Sequence, residues 1–209
     1  MNEIVLSGYL RNIRYSHNIG DIQYDRAEII TKRDDGKEDV LSVRFKKFSN
    51  PYLNDQFVDL IGNVRSFSER GIDGKNHVSI YVHTYFDIPP QREDGKNITN
   101  EFLIDGRICK IDGMRFTKDG KNNYHFTLAN NIISQSGNQK LNTYLPLIAW
   151  GKLANKISEL QVGDYVCVRG QLHSRQYKKI LENGDLEYRT AYEGVVFDFT
   201  TSEVYRDDI

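Results

Sequence analysis

The sequence predicts an all-β protein of two consecutive five-stranded units, each with a short helix between its third and fourth strands. Three observations carry that expectation. Alternation of apolar and polar residues with period two dominates the chain. The stretch Asn2-Glu3-Ile4-Val5-Leu6-Ser7-Gly8 returns as Asn100-Glu101-Phe102-Leu103-Ile104-Asp105-Gly106. A second echo follows in the same order, from Phe57-Val58-Asp59-Leu60-Ile61-Gly62 to Tyr165-Val166-Cys167-Val168-Arg169-Gly170. The Gly8–Gly62 interval is close to the Gly106–Gly170 interval, which a duplication explains.

The elements follow in order. Alternation places strands near 3–13, 23–32, 39–47, 56–67 and 76–87 in the first unit. In the second it places them near 101–111, 122–131, 142–150, 164–177 and 187–201. Turn residues separate them: Asp34-Asp35-Gly36, Asp73-Gly74, Lys118-Asp119-Gly120 and Asn183-Gly184-Asp185. Gly151–Leu160 sets Leu153, Ile157 and Leu160 on one helical face. Ser49–Gln56 is its counterpart, with Asn50-Pro51 as a cap followed by proline at the first helical position. Pro89-Pro90 opens a polar stretch that reads as an extended linker. The expected domains are therefore 1–88 and 99–205, with a linker at 89–98 and a short acidic tail at 206–209. Five strands with a helix between the third and fourth is the order of an OB-fold, a Greek-key barrel that binds oligonucleotides or oligosaccharides. The glycine late in each first strand suits a barrel corner.

Composition narrows the function classes. The chain has 209 residues, enough to bury roughly 70 % of its unfolded surface without staples. Its two cysteines, Cys109 and Cys167, form no CxxC, which argues against a disulfide framework and suits a reducing cytoplasm. They fall on strands expected to pair, and read as inert free thiols. No apolar run is long enough to span a membrane, and the start shows no signal-peptide pattern. The net charge of −1 excludes a strongly basic chain that coats nucleic acid non-specifically, but not a basic groove on a neutral body. No P-loop, G-x-S-x-G or H-E-x-x-H is present, and the five histidines lack metal-ligand spacing. The expectation is a non-enzyme with no cofactor and no metal.

The segment Tyr144-Leu145-Pro146-Leu147-Ile148-Ala149-Trp150-Gly151-Lys152-Leu153-Ala154 precedes Gln161-Val162-Gly163-Asp164 and Gly170-Gln171-Leu172-His173-Ser174-Arg175-Gln176-Tyr177. In order and spacing these motifs resemble the bacterial single-stranded DNA-binding protein family, over about 102–200. The resemblance implies base stacking at Tyr144, Trp150 and Tyr177, and backbone contacts at Lys152 and Arg175. Lys178 extends the basic hairpin around Tyr177. Arg107, Arg115 and Lys121 lie where the first strand and hairpin of that unit would frame the groove. Trp150 ends the apolar run Leu147-Ile148-Ala149, so burial and stacking both stand as readings. A further family aromatic is absent near Ile133-Ser134. The family's Gly/Gln/Pro-rich tail is also absent, so recruitment of repair enzymes through such a tail is not expected. That departure suits a phage, plasmid or mobile-element protein, or a specialised paralogue.

Stacking on Tyr or Trp needs no base identity, because every base has a π-face. In the first unit, Arg44-Phe45-Lys46-Lys47-Phe48 interleaves charge and rings at the place of Ile148-Ala149-Trp150-Gly151-Lys152. Alternation puts Arg44 and Lys46 on one face and Phe45 on the other. Phe67 lies in the counterpart of the Tyr177 hairpin. The expected function is sequence-independent binding of single-stranded DNA in replication, recombination or repair. The expected assembly is a cytoplasmic homodimer carrying four OB-folds, with replication or recombination proteins as further partners. The rival reading is an OB-fold subunit of a primosome or recombination complex that binds protein first and DNA weakly. A third is an oligosaccharide-binding module.

Overall fold

The computed structural model describes residues 1–47, 52–70, 76–88, 99–133, 140–180 and 184–201. They form two compact units. The first comprises Ile4–Asn100 and His173–Tyr192, the second Met1–Glu3, Glu101–Leu172 and Glu193–Ile209. The expected linker 89–98, the tail 206–209 and the turn Asp73-Gly74 lie outside the described residues.

The first unit holds β1 (Asn2–Ile19), β2 (Ile22–Lys32), β3 (Glu38–Lys46), β4 (Phe57–Arg70) and β5 (Asn76–Ile88). β1 pairs antiparallel with β2 and β4, β2 with β3, and β4 with β5, while β3 pairs parallel with β5. The pairing therefore closes on itself, through Val43 opposite Val82 and Arg44 opposite His83. Leu6, Leu10, Ile29, Leu41, Val43 and Val82 are among the side chains buried inside.

The second unit repeats the plan with β6 (Asn100–Phe116), β7 (Asn122–Ile133), β8 (Lys140–Trp150), α1 (Gly151–Ile157), β9 (Tyr165–Ile180) and β10 (Leu186–Thr201). β6 pairs antiparallel with β7 and β9, β7 with β8, and β8 runs parallel to β10, which neighbours β9. Phe102, Ile104, Phe126, Leu128, Leu145 and Leu147 fill its interior.

Register shows how closely the copies correspond. Gly8 lies opposite Val58 and Ile4 opposite Gly62. Gly106 lies opposite Val166 and Phe102 opposite Gly170. All four glycines are required by close approach of another strand. A Cβ on Gly8 would lie 2.2 Å from the Ile30 carbonyl oxygen, and one on Gly106 would lie 2.3 Å from that of Ala129. Gly62 and Gly170 meet the carbonyls of His83 and Val195 at 2.4 and 2.2 Å.

Two elements depart from expectation. β1 and β6 run well past Ile13 and Ile111. Bulges let them bend and keep pairing, with Asn12 at φ 56° and Gly113 at φ 87° taking the left-handed conformation. No helix occurs at residues 52–56, where one was expected. The rest of the expected counterpart, 49–51, lies outside the described residues. What the copies share is the turn into the fourth strand. Asp55 (φ 62°) donates its N–H to the Leu10 carbonyl at 2.7 Å, as Gly163 (φ 100°) does to Ile108 at 2.8 Å. α1 is about two turns long; it buries Ala154 and Ile157, and ends before Leu160.

Residues 173–192 count with the first unit, which contiguous segments of 1–88 and 99–205 do not provide for. The physical tie is Asp39, which is fully buried. Its carboxylate accepts from the Arg33 Nε at 2.7 Å and from the Ser174 N–H at 2.6 Å. The Ser174 hydroxyl in turn accepts the Val40 N–H at 2.8 Å.

Candidate nucleic-acid interface

Alternation turns one set of side chains on β6, β7 and β8 outward, and register aligns them in rows. Arg107 lies opposite Ala129, and Ala129 opposite Tyr144. Arg115 lies opposite Asn123, and Asn123 opposite Trp150. Each row thus ends in an arginine on β6 and a ring on β8. Tyr144 and Trp150 are 44 % and 41 % exposed, which settles the two readings of Trp150 in favour of an accessible ring. Six residues of strand separate them, roughly 20 Å. Trp150 ends β8 because Gly151 follows at φ 58°, a conformation that breaks the strand and starts α1.

The basic residues of this face are differently employed. Arg107 donates to the Gly163 carbonyl at 2.9 Å and sits 5.9 Å from the Tyr165 ring, so it also braces the turn into β9. Arg115 is exposed. Lys121 sits exposed at the hairpin between β6 and β7, where its N–H donates to the Thr117 hydroxyl at 3.0 Å. Lys152 is exposed in the first turn of α1.

Arg175, Tyr177 and Lys178 fall in the arm that counts with the first unit, so they are not in the compact unit of Tyr144 and Trp150. Arg175 lies 5.9 Å from the Tyr177 ring. Lys178 points to the other side of β9, by alternation, and lies 5.4 Å from the Tyr188 ring. The expected basic cluster around Tyr177 is therefore split between two faces.

In the first unit, Phe45 is only 3 % exposed and packs edge-on against Tyr52, with centroids 5.0 Å apart. It is core, not a stacking platform, because its parity on β3 follows Val43 inward. Arg44 and Lys46 face outward, as alternation requires. The Arg44 guanidinium lies 4.0 Å from the Tyr81 ring and 5.0 Å from Phe67. Tyr24 stacks on His17 at 5.1 Å and on His83 at 5.6 Å. Burial, together with the positive charge of Arg65, His17 and Arg44, lowers the pKa of His83 to about 4. His17 is lowered too, by burial and by Arg44.

Several of these residues are not singled out by motif: Arg14, Arg26, Tyr24, Arg65, Tyr81 and His83. A signal for some existed. The β2–β3 hairpin pairs residues equally far from Asp35, so its turn already sets Arg26 beside Arg44 and Tyr24 beside Lys46. The rest needed the parallel β3–β5 pairing, which no local pattern encodes.

A closed five-stranded barrel whose outer face carries exposed rings and arginines is a surface on which bases can stack and phosphates can be held. Residues 99–197 match the model of the Single-strand binding protein family. The whole chain is similar to two crystal structures of the single-stranded DNA binding protein from Thermus aquaticus. The wild-type protein matches with a TM-score of 0.73 at 18 % identity, covering 97 % of this chain and 93 % of that one. A deletion mutant matches with a TM-score of 0.72 at 18 % identity, covering 97 % and 94 %. The fold of this chain is thus the fold of that protein along nearly its full length. No curated protein matches the chain by sequence.

Proposed function

We propose that this protein binds single-stranded DNA without sequence preference, by stacking bases on Tyr144 and Trp150 and by holding phosphates with basic residues of the same face. The observation that carries this is the pair of rows in which an exposed ring on β8 answers an arginine on β6. The match of residues 99–197 to the family supports it. The two closed pairing cycles, with matching glycines and registers, support reading the chain as two tandem OB-folds. Such a chain would supply four barrels as a homodimer, working in DNA replication, recombination or repair. No catalysis is assigned. Among the described residues no three His, Cys, Asp or Glu side chains are grouped to hold a metal. Burial pushes the Cys109 and Cys167 thiols up, away from reactive thiolates. Among the described residues no helix is long and apolar enough to cross a membrane.

Unpaired bases are needed for stacking, so fluorescence titration should show tight binding of oligo(dT) and little of blunt duplex of equal length. Equal affinity for the two would overturn the reading.

A further inference from the structure

The two copies place their charge differently on the same scaffold. In the first unit one register row crosses the sheet through Arg14, Arg26, Arg44, His83 and Asn63, on β1, β2, β3, β5 and β4. Residues directly opposite one another share a face, and neighbouring strands lie about 4.8 Å apart. Three arginines therefore stand side by side on the outer surface. The equivalent row of the second unit reads Gly113, His125, Ile148 and Val195, with no arginine at all. Conversely, the row that ends in Trp150 ends in Lys46 in the first unit.

Like charges directly opposite each other destabilise a sheet. Among the described residues no carboxylate forms an ion pair with Arg14, Arg26 or Arg44. The charges acting on His83 are all positive as well, and the Nε of neighbouring Arg65 is buried with no hydrogen-bond partner. Folding alone gives no reason to gather these groups. A polyanion lying across the row would satisfy all of them. Two of the rings nearby, Tyr81 and Phe67, are already covered by the Arg44 guanidinium. A guanidinium laid on a ring keeps its in-plane N–H groups for oxygen acceptors.

We infer that the first unit carries a phosphodiester track that grips the sugar–phosphate backbone through Arg14, Arg26 and Arg44 without reading the bases, while Tyr144 and Trp150 of the second unit stack them. This rests on the proposed binding of single strands and assigns the two halves different chemistry within it. Each phosphate contact on a single strand contributes about 0.7 to the slope of log K against log salt.

The test uses the full chain with two probes of equal length, oligo(dT) and an abasic oligodeoxyribonucleotide, across a range of salt. Arg44→Gln should weaken both probes by the same factor and flatten the salt slope by about 0.7. The triple variant Arg14→Gln, Arg26→Gln, Arg44→Gln should flatten it by about 2. Tyr144→Ala should weaken oligo(dT) and leave the abasic probe untouched. Arg26→Gln, which removes one member of a repelling row, should melt no lower than the parent, whereas a structural arginine would lower the melting temperature. An unchanged slope in the triple variant, or a loss confined to oligo(dT), would overturn the track while leaving single-strand binding intact. A parent chain that binds neither probe would overturn both readings.

Discussion

Tyr144 and Trp150 are exposed for different local reasons. Tyr144 points outward by strand parity between the inward Thr143 and Leu145, and Trp150 because the strand ends on it. Removing an exposed base platform leaves no cavity, so Tyr144→Ala should keep the fold. It should weaken oligo(dT) binding by about 1–3 kcal/mol, roughly five- to 150-fold in Kd. Tyr177 is half-buried with Arg175 over its ring, so its truncation should matter less. His83 offers a pH test. It faces Arg44 on β3, Arg65 on β4, Tyr24 on β2 and His17 on β1. Its folded pKa of about 4 lies below the ordinary histidine value of 6.5, so between those values the unfolded chain binds the extra proton. Its contribution to stability is therefore complete above pH 6.5 and is lost as pH falls toward 4. Nuclear magnetic resonance should find the His83 ring titrating near 4, and His83→Gln should flatten the parent's decline in stability across that window. A ring titrating near 6.5 would contradict the positive surroundings derived for it.

At the scale of elements, β9 and β10 show how one buried charge sets the placement of an arm. Ser174 is polar and unremarkable in sequence, yet its hydroxyl is the acceptor for the Val40 N–H and its own N–H is held by buried Asp39. Ser174→Ala leaves the Val40 donor unsatisfied, and urea unfolding should show a loss of about 1–3 kcal/mol. Proteolysis should then reach the 173–192 arm sooner than in the parent. Resistance equal to the parent's would mean that other contacts hold the arm. All ten strands were legible from alternation, because a half-buried strand must present one apolar face. Their far ends were not, because the bulges at Asn12 and Gly113 shift the parity on which that pattern depends. The helix expected at Ser49–Gln56 shows the opposite error. Local capping residues suggested it, but at 52–56 the chain takes the left-handed turn at Asp55 that bonds to Leu10.

Across the whole molecule, two pairing cycles with matching registers carry different outward residues. The proposed four-barrel assembly takes two such chains. Sedimentation at high micromolar concentration should find about twice the chain mass of 24.2 kDa. A monomer at that concentration would remove the dimer from the proposal. The near-neutral net charge of −1 is no obstacle to nucleic-acid binding, since the arginine row and the outward face of β6 concentrate charge locally.

The chain order alone was enough for the all-β class, the repeat and the second-half motif, because periodicity, paired glycines and motif spacing are local or simply repeated signals. It was also enough for the exposed side of Arg44 and Lys46, which parity assigns. It could not tell Phe45, a core ring, from a groove ring, since both stand beside charged neighbours. Nor could it assemble the Arg14–Arg26–Arg44–His83 row, whose members come from four strands. That row exists only once β3 and β5 pair in parallel and the barrel closes, because strand pairing between distant segments is set by the packing of the whole unit and leaves no mark on any one stretch of sequence.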